Sequence, residues 1–270
     1  MSRATPPLCV LDCGTLGVLA ALAFVLACSL GPARAEPTEA LQPSVSTEPS
    51  DFQEALDRIG IPLELPRNGK AIIVNIPAFE LIAFADGRPV LRSRVIVGAP
   101  WHRTPILSTY TTTVRFRPTW RPTPAMIASG EHRDRVWPPG LSNPLGLAAI
   151  RLEEGLLVYL HDTNHRELFA RENRALSHGC VRVELWDQLI AWLMEFDLQT
   201  VHRLANGRAT FDVPTPPVPV ILGYFMVFPD AVGEPVRYED IYGLGDSAPV
   251  PEINLEAPSL SSCAAAAEAG

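Results

Sequence analysis

A mainly β fold with a few short helices is what this 270-residue sequence predicts, on three observations. Runs rich in Val, Ile, Leu and Phe, at 71–75, 80–84, 90–97, 156–160 and 218–228, are bounded by turn residues, the pattern of buried strands. Pro118, Pro122, Pro124, Pro138 and Pro139 argue for irregular loops from 117 to 145. Sustained helical spacing is confined to a short segment, Trp186 to Phe196.

In chain order, Asp51 to Leu56 opens a short helix that ends near Gly60, with Asp51 placed to cap it. Ala71 to Asn75 and Glu80 to Phe84 are strand-like, Asp86-Gly87 signals a hairpin turn, and Val90 to Val97 continues as a strand. Leu156 to Leu160 reads as a buried strand that delivers His161 at its end, followed by the turn residues Asp162-Thr163-Asn164. Leu189, Trp192, Leu193 and Phe196 recur at helical spacing, so a helix follows Cys180 closely, its aromatic face packed in the core. Val218 to Phe228 reads as one long apolar strand, and no internal repeat is evident.

The chain is 47% hydrophobic and 19% charged, with a net charge of −8. That is a globular composition with too little basic surface for general nucleic-acid binding. Arg3, the apolar run Gly17 to Leu30 and the small-x-small triplet Ala33-Arg34-Ala35 read as an export signal cleaved after Ala35. An exported, periplasmic protein of 235 residues is therefore expected. The apolar run is shorter than the ~20 residues of a permanent span, which disfavours an uncleaved anchor. Leu26 sits at the wrong place for lipidation at Cys28. Expected boundaries are 1–35 signal, 36–66 linker and short helix, 67–245 catalytic domain and 246–270 disordered tail.

Cleavage removes Cys9, Cys13 and Cys28, leaving Cys180 and, in the tail, Cys263. An exported protein usually pairs its cysteines or avoids them, so a lone thiol in the folded part is a candidate nucleophile. Cys180 lies in Ser177-His178-Gly179-Cys180-Val181-Arg182, with His161 upstream. A cysteine thiol has an ordinary pKa near ~8.5 and needs a neighbouring base to react at neutral pH. A histidine supplies it, and glycine before the nucleophile lets a carbonyl approach the N–H groups of Gly179 and Cys180 as an oxyanion hole.

His161, fifteen intervening residues and then Ser177-His178-Gly179-Cys180 resemble the signature of the L,D-transpeptidase (YkuD-type) catalytic domain family. Further segments resemble its large Gram-negative branch: Val74-Asn75-Ile76-Pro77, Arg94 to Gly98, Thr104-Pro105, Asn143-Pro144-Leu145-Gly146, Tyr159 to Thr163 and Asp240-Ile241-Tyr242-Gly243. The resemblance covers about residues 70 to 245 and implies a β-sandwich catalytic domain with Cys180 at its mouth. It implies Cys180 as nucleophile, His161 as general base, the backbone carbonyl of Asp162 as the group orienting His161, and the N–H groups of His178, Gly179 and Cys180 as oxyanion donors. Ser177, His178 and Arg182 become substrate-binding candidates, with a structural salt bridge to Glu184 or another acid as the alternative for Arg182. The implied reaction is acyl transfer between peptidoglycan stem peptides through a thioester, expelling a terminal D-alanine and forming 3→3 cross-links. Carbapenems are the expected inhibitors. Stem peptides, donor and acceptor, are the expected partners, with other cell-wall enzymes as further candidates and no nucleic acid. No cofactor and no metal are expected.

Two departures stand out. Only about thirty-five residues separate the signal from the first strand, where members of that branch carry further modules, and only Arg121 to Ser142 stand where they carry a long lid. A short lid leaves the site open to water or another acceptor. An L,D-carboxypeptidase or amidase using the same Cys/His pair is therefore the nearest rival. A zinc site built from His161, His165, His178 and Cys180 is a second, disfavoured because His161 and His165 flank a turn rather than sharing a helical face. A non-catalytic wall-binding protein is the third.

Overall fold

In the computed structural model, which describes residues 52–251, the Asp86-Gly87 turn has positive φ at both residues, 52° and 76°. That geometry matches the twist of a two-residue hairpin. The turn joins β2 (Glu80–Ala85) to β3 (Arg88–Gly98), and β1 (Lys70–Asn75) pairs antiparallel with the other side of β2. Later strands extend this meander at both ends: β4 (Leu107–Tyr110), β5 (Thr113–Phe116), β6 (Ala148–Arg151), β7 (Tyr159–His161), β8 (Ala175–Ser177), β9 (Val181–Val183), β10 (Phe211–Pro214) and β11 (Pro219–Gly223). Together they form one mixed sheet of eleven strands, ordered β10-β5-β6-β7-β9-β3-β2-β1-β11-β4, with β8 added against β3. A ribbon of β12 (Val227–Pro229) and β13 (Pro235–Arg237) stands apart from it. The expectation of a mainly β fold with few short helices is met.

Alternation along β1 and β2 shows why these strands are apolar throughout. Ile72, Val74, Leu81 and Ala83 face one core, and Ala71, Ile73, Ile82 and Phe84 face another. The first core also takes Val114, Ile150, Leu160, Val181 and Val183 from the far half of the sheet, with Leu189, Leu193 and Val201 from two helices. A single core reached from both ends of the strand order means that the sheet curls around it. Those helices are α3 (Trp186–Met194) and α4 (Leu198–Ala205), the latter capped by Asp197, whose carboxylate accepts from Thr200 N–H. The sole lysine, Lys70, donates through Nζ to Trp192 O (2.8 Å) and to Glu195 (2.9 Å), a cation set against the orphan carbonyls of the α3 C-terminus.

On the opposite face, α1 (Phe52–Arg58) lays Phe52 and Leu56 against Phe84 and Phe228, with ring centroids of Phe52 and Phe84 5.0 Å apart. This short helix thus completes a second apolar layer.

Three expectations are corrected. The proline-rich middle contains a helix, α2 (Pro124–Ala128); Pro124 takes a first-turn position that needs no N–H donor, and Thr123 caps it by accepting from Met126 N–H at 3.3 Å. The segment before His161 is strand only from Tyr159, since Leu157 is 74% exposed. The long strand at 218–228 is broken after Gly223, where a Cβ would lie 2.2 Å from the Phe225 ring. Asp51, the export signal, Cys9, Cys13, Cys28 and Cys263 lie outside the described residues.

Phe84→Ala should destabilise the protein by about 3–5 kcal/mol in urea denaturation, because Phe84 is fully buried among aromatic neighbours. A cost below about 1 kcal/mol would show that the outer layer is not a true core.

Candidate active site

Parallel pairing of β7 with β9 sets Leu160 opposite Val181 and His161 opposite Arg182. Side chains alternate along strands, so Cys180, two residues before Arg182, emerges on the same face as His161. Diagonal neighbours on one face are within reach of each other. The structure therefore brings together Cys180, His161 and Arg182 from the predicted set.

His161 is 4% exposed. Its Nδ1–H donates to the backbone carbonyl of Asp162 through a short hydrogen bond, which leaves the lone pair on Nε2. Burial, and then the charge of Arg182, pull its pKa down to about 3, against the smaller opposing effect of the Asp162 and Leu145 carbonyls. The imidazole is accordingly neutral at neutral pH. Asp162 is held in turn: its N–H donates to Ala148 O (3.0 Å), and its carboxylate accepts from Leu147 N–H (2.9 Å) and from Arg166 (3.0 Å). That carboxylate fills the space beside Gly146, which has φ +65° and where a Cβ would come within 2.3 Å of it. Glycine in Asn143-Pro144-Leu145-Gly146 is thus required by the Asp162 seat.

The Cys180 thiol is half-buried and donates to the Leu157 carbonyl at 3.5 Å. Burial raises its pKa, partly countered by the Tyr159 backbone N–H and the charge of Arg182. The guanidinium of Arg182 makes no hydrogen bond or ion pair among the described residues, whereas Glu184 is engaged by both nitrogens of a fork from Arg94. The Glu184 alternative for Arg182 is therefore excluded.

A loop network fixes the nucleophile's backbone. Ser177 Oγ donates to Cys180 O and accepts from Gly179 N–H (3.1 Å). Of the three expected oxyanion donors, Gly179 N–H is thus held by Ser177 Oγ, while the N–H groups of His178 and Cys180 have no acceptor among the described residues. Gly179 adopts φ +105°, a conformation that favours glycine. Thr104 Oγ donates to Gly179 O (3.0 Å) and accepts from Gly98 N–H (2.8 Å). Tyr242 O–H donates to Gly98 O (2.7 Å) and accepts from Thr104 N–H (3.1 Å). Thr104 and Tyr242, both fully hydrogen-bonded and buried, are site-building residues to which the sequence reading assigned no role.

His178 turns away from His161 toward the segment 121–142. Its Nε2 contacts one oxygen of Glu131 closely, and His102 Nε2 lies 3.4 Å from the other. The His102 and His178 rings are 4.5 Å apart, and His132 meets His178 edge-on at 5.8 Å. The segment is pinched at its base by paired backbone hydrogen bonds between Trp120 and Trp137 and by Asn143 Nδ2 donating to Pro118 O and Pro138 O. His165 instead pairs with Glu167, so the expected rival set of His161, His165, His178 and Cys180 is not assembled as a metal cluster among the described residues.

Thr104→Val conserves shape but strands Gly98 N–H and Gly179 C=O. Stability should fall by about 1–3 kcal/mol; an unchanged denaturation midpoint would remove Thr104 from the network. Alkylation of Cys180 by iodoacetamide should rise with pH through an inflection above the ordinary thiol value of ~8.5. An inflection near neutrality would show a preformed thiolate instead.

The family model for the L,D-transpeptidase catalytic domain matches residues 69–221. A Haemophilus influenzae protein, assigned to the L,D-transpeptidases by name only, is 31% identical over 235 residues, covering 71% of this chain; the chain spans about half, 48%, of that protein's length. Among solved structures, an L,D-transpeptidase from Mycobacterium smegmatis is 15% identical with a TM-score of 0.37, over 57% of this chain and 58% of that one. L,D-transpeptidase 3 from Mycobacterium tuberculosis, in complex with a faropenem-derived adduct, is 15% identical with a TM-score of 0.36, over 57% and 60%. The match to the family model takes in both Cys180 and His161 and more than half of the chain, and the protein belongs to the YkuD family of L,D-transpeptidase catalytic domains.

Proposed function

We propose that the chain is an exported, periplasmic acyltransferase that uses Cys180 on peptidoglycan stem tetrapeptides. The observation that carries this reading is the shared strand face of Cys180 and His161, with the His161 tautomer fixed by the Asp162 carbonyl.

Cys180 Sγ leaves the Leu157 carbonyl by rotation about χ1 and attacks the carbonyl carbon of the third stem residue. His161 Nε2 takes the thiol proton. The oxyanion is held by the N–H groups of His178 and Cys180. As the intermediate collapses, the C–N bond to the terminal D-alanine breaks, and the amine leaves with the proton from Nε2. A side-chain amine of a second stem then attacks the thioester, gives its proton to His161, and the thiolate departs to be reprotonated. Arg182, which makes no hydrogen bond or ion pair among the described residues, suits a substrate carboxylate. Ser177 acts through the backbone, holding the Gly179–Cys180 turn.

The same steps with water as acceptor give an L,D-carboxypeptidase, the alternative that the short segment 121–142 keeps open. Mass spectrometry of disaccharide tetrapeptides incubated with the protein separates the two readings. A dimer lacking one alanine is the transpeptidase product, tripeptide without dimer is the hydrolase product, and neither product would refute both.

Cys180→Ala should abolish carbapenem acylation, and His161→Ala should slow it by ~10²–10⁴-fold; wild-type rates in either would refute the role assigned. Because His161 stays neutral down to about 3, the acylation rate should be flat from pH ~5 to ~8, where an ordinary histidine would lose activity through ~6.5. In the same acid range folding stability should decline. The unfolded histidine binds a proton below ~6.5 that the folded one refuses, a loss of at most ~1.4 kcal/mol per pH unit.

A further inference from the structure

We propose that His102, Glu131 and His178 form a binding site for a divalent metal ion of the zinc class, joining the segment 121–142 to the loop that carries Cys180. The three residues come from separate parts of the chain: His102 from the loop between β3 and β4, Glu131 from the segment after α2, and His178 from the turn between β8 and β9. One ligand atom from each lies within 4.8 Å of the others. Tetrahedral ligands at ~2.0–2.1 Å from zinc stand about 3.3 Å apart, so the ion needs side-chain rotation of about an ångström and no refolding.

The donor set favours a borderline cation. Two imidazoles and one carboxylate are ligands of zinc sites that keep a position open for water or another group. Glu131 presents one oxygen to each Nε2, an arrangement that without an ion requires both stacked rings to carry a proton on the nitrogen facing it. A metal satisfies the same three groups through the Nε2 lone pairs, with no proton needed on either nitrogen. All three side chains keep 28–38% of their surface, which leaves a path for a hydrated ion, while His132, Trp120 and Trp137 pack edge-to-face beside the cluster.

Cys180 and His161 take no part in this site, and that distinction sets the test. Zinc titration of the tag-free protein against a chromophoric chelator should show one ion per chain, with roughly tenfold or greater loss of affinity in His102→Ala and in Glu131→Gln, and no change in Cys180→Ser. X-ray absorption of the zinc-loaded wild type should show nitrogen and oxygen ligands only, with no sulfur at ~2.3 Å, a readout that does not depend on any variant folding. Absence of binding would overturn the proposal and leave a proton-shared bridge. Binding lost in Cys180→Ser but kept in His102→Ala, or a sulfur shell, would overturn it in favour of the catalytic thiol.

Discussion

The parallel pairing of β7 with β9 is the constraint on which the site depends. Cys180 and His161 are nineteen residues apart, and nothing local in either segment holds one against the other. Their proximity comes from a two-pair ladder, Leu160 with Val181 and His161 with Arg182, anchored because Leu160 and Val181 both point into the core around which the sheet curls. A slip of one residue would turn His161 into the apolar core and move Leu160 to the face that carries Cys180, setting a polar ring where a leucine packs. The hydrophobic core therefore enforces the register that the chemistry needs.

Desolvation acts on both reacting groups in the same direction. Burial keeps the imidazole neutral and the thiol protonated, so the resting pair is uncharged and the ion pair belongs to the reaction coordinate. Arg182 divides its influence: its charge disfavours an imidazolium and favours a thiolate. A substrate carboxylate on Arg182 would neutralise that charge, making His161 a better proton acceptor once substrate is in place. In the proposed reaction, substrate binding and base strength would then be coupled through one guanidinium.

Legibility in the sequence follows the range of the interactions. Strands β1 to β3, the Asp86-Gly87 turn and α3 were readable because apolar alternation, turn chemistry and helical spacing are local signals. Cys180 and His161 stood out because a thiol and two imidazoles around a glycine have few other uses. Thr104 and Tyr242 lie in segments that carry the family resemblance, yet their role was not readable: a threonine and a tyrosine say little until the fold brings residues 98, 104, 179 and 242 to one point. The commitment of Gly179 N–H to Ser177 was hidden for a related reason, since a glycine before a nucleophile reads as an open donor until the serine rotamer is known. Leu157 and the Gly223 break show the opposite error, in which apolar composition overstated strand length where the chain turns outward or meets a ring.

The segment 121–142 escaped the sequence reading because prolines and tryptophans set its shape rather than periodicity. Its order rests on the Trp120–Trp137 pairing, the Asn143 amide that ties both ends together, the Arg121–Asp134 ion pair, and the contacts of Glu131 and His132 with His178. The first three hold the segment to itself, so Glu131 and His132 make its contacts with the loop that carries Cys180. Both partners of that carboxylate are histidines, one of them two residues from Cys180, and the exposed tip has no apolar anchor in the core. In the reaction proposed for this site, whatever occupies the space between those rings, protons or a metal ion, would set how closely the segment lies beside Cys180. Under the proposed reaction, acceptor choice would then depend on the chemistry at Glu131 as well as on the length of the segment.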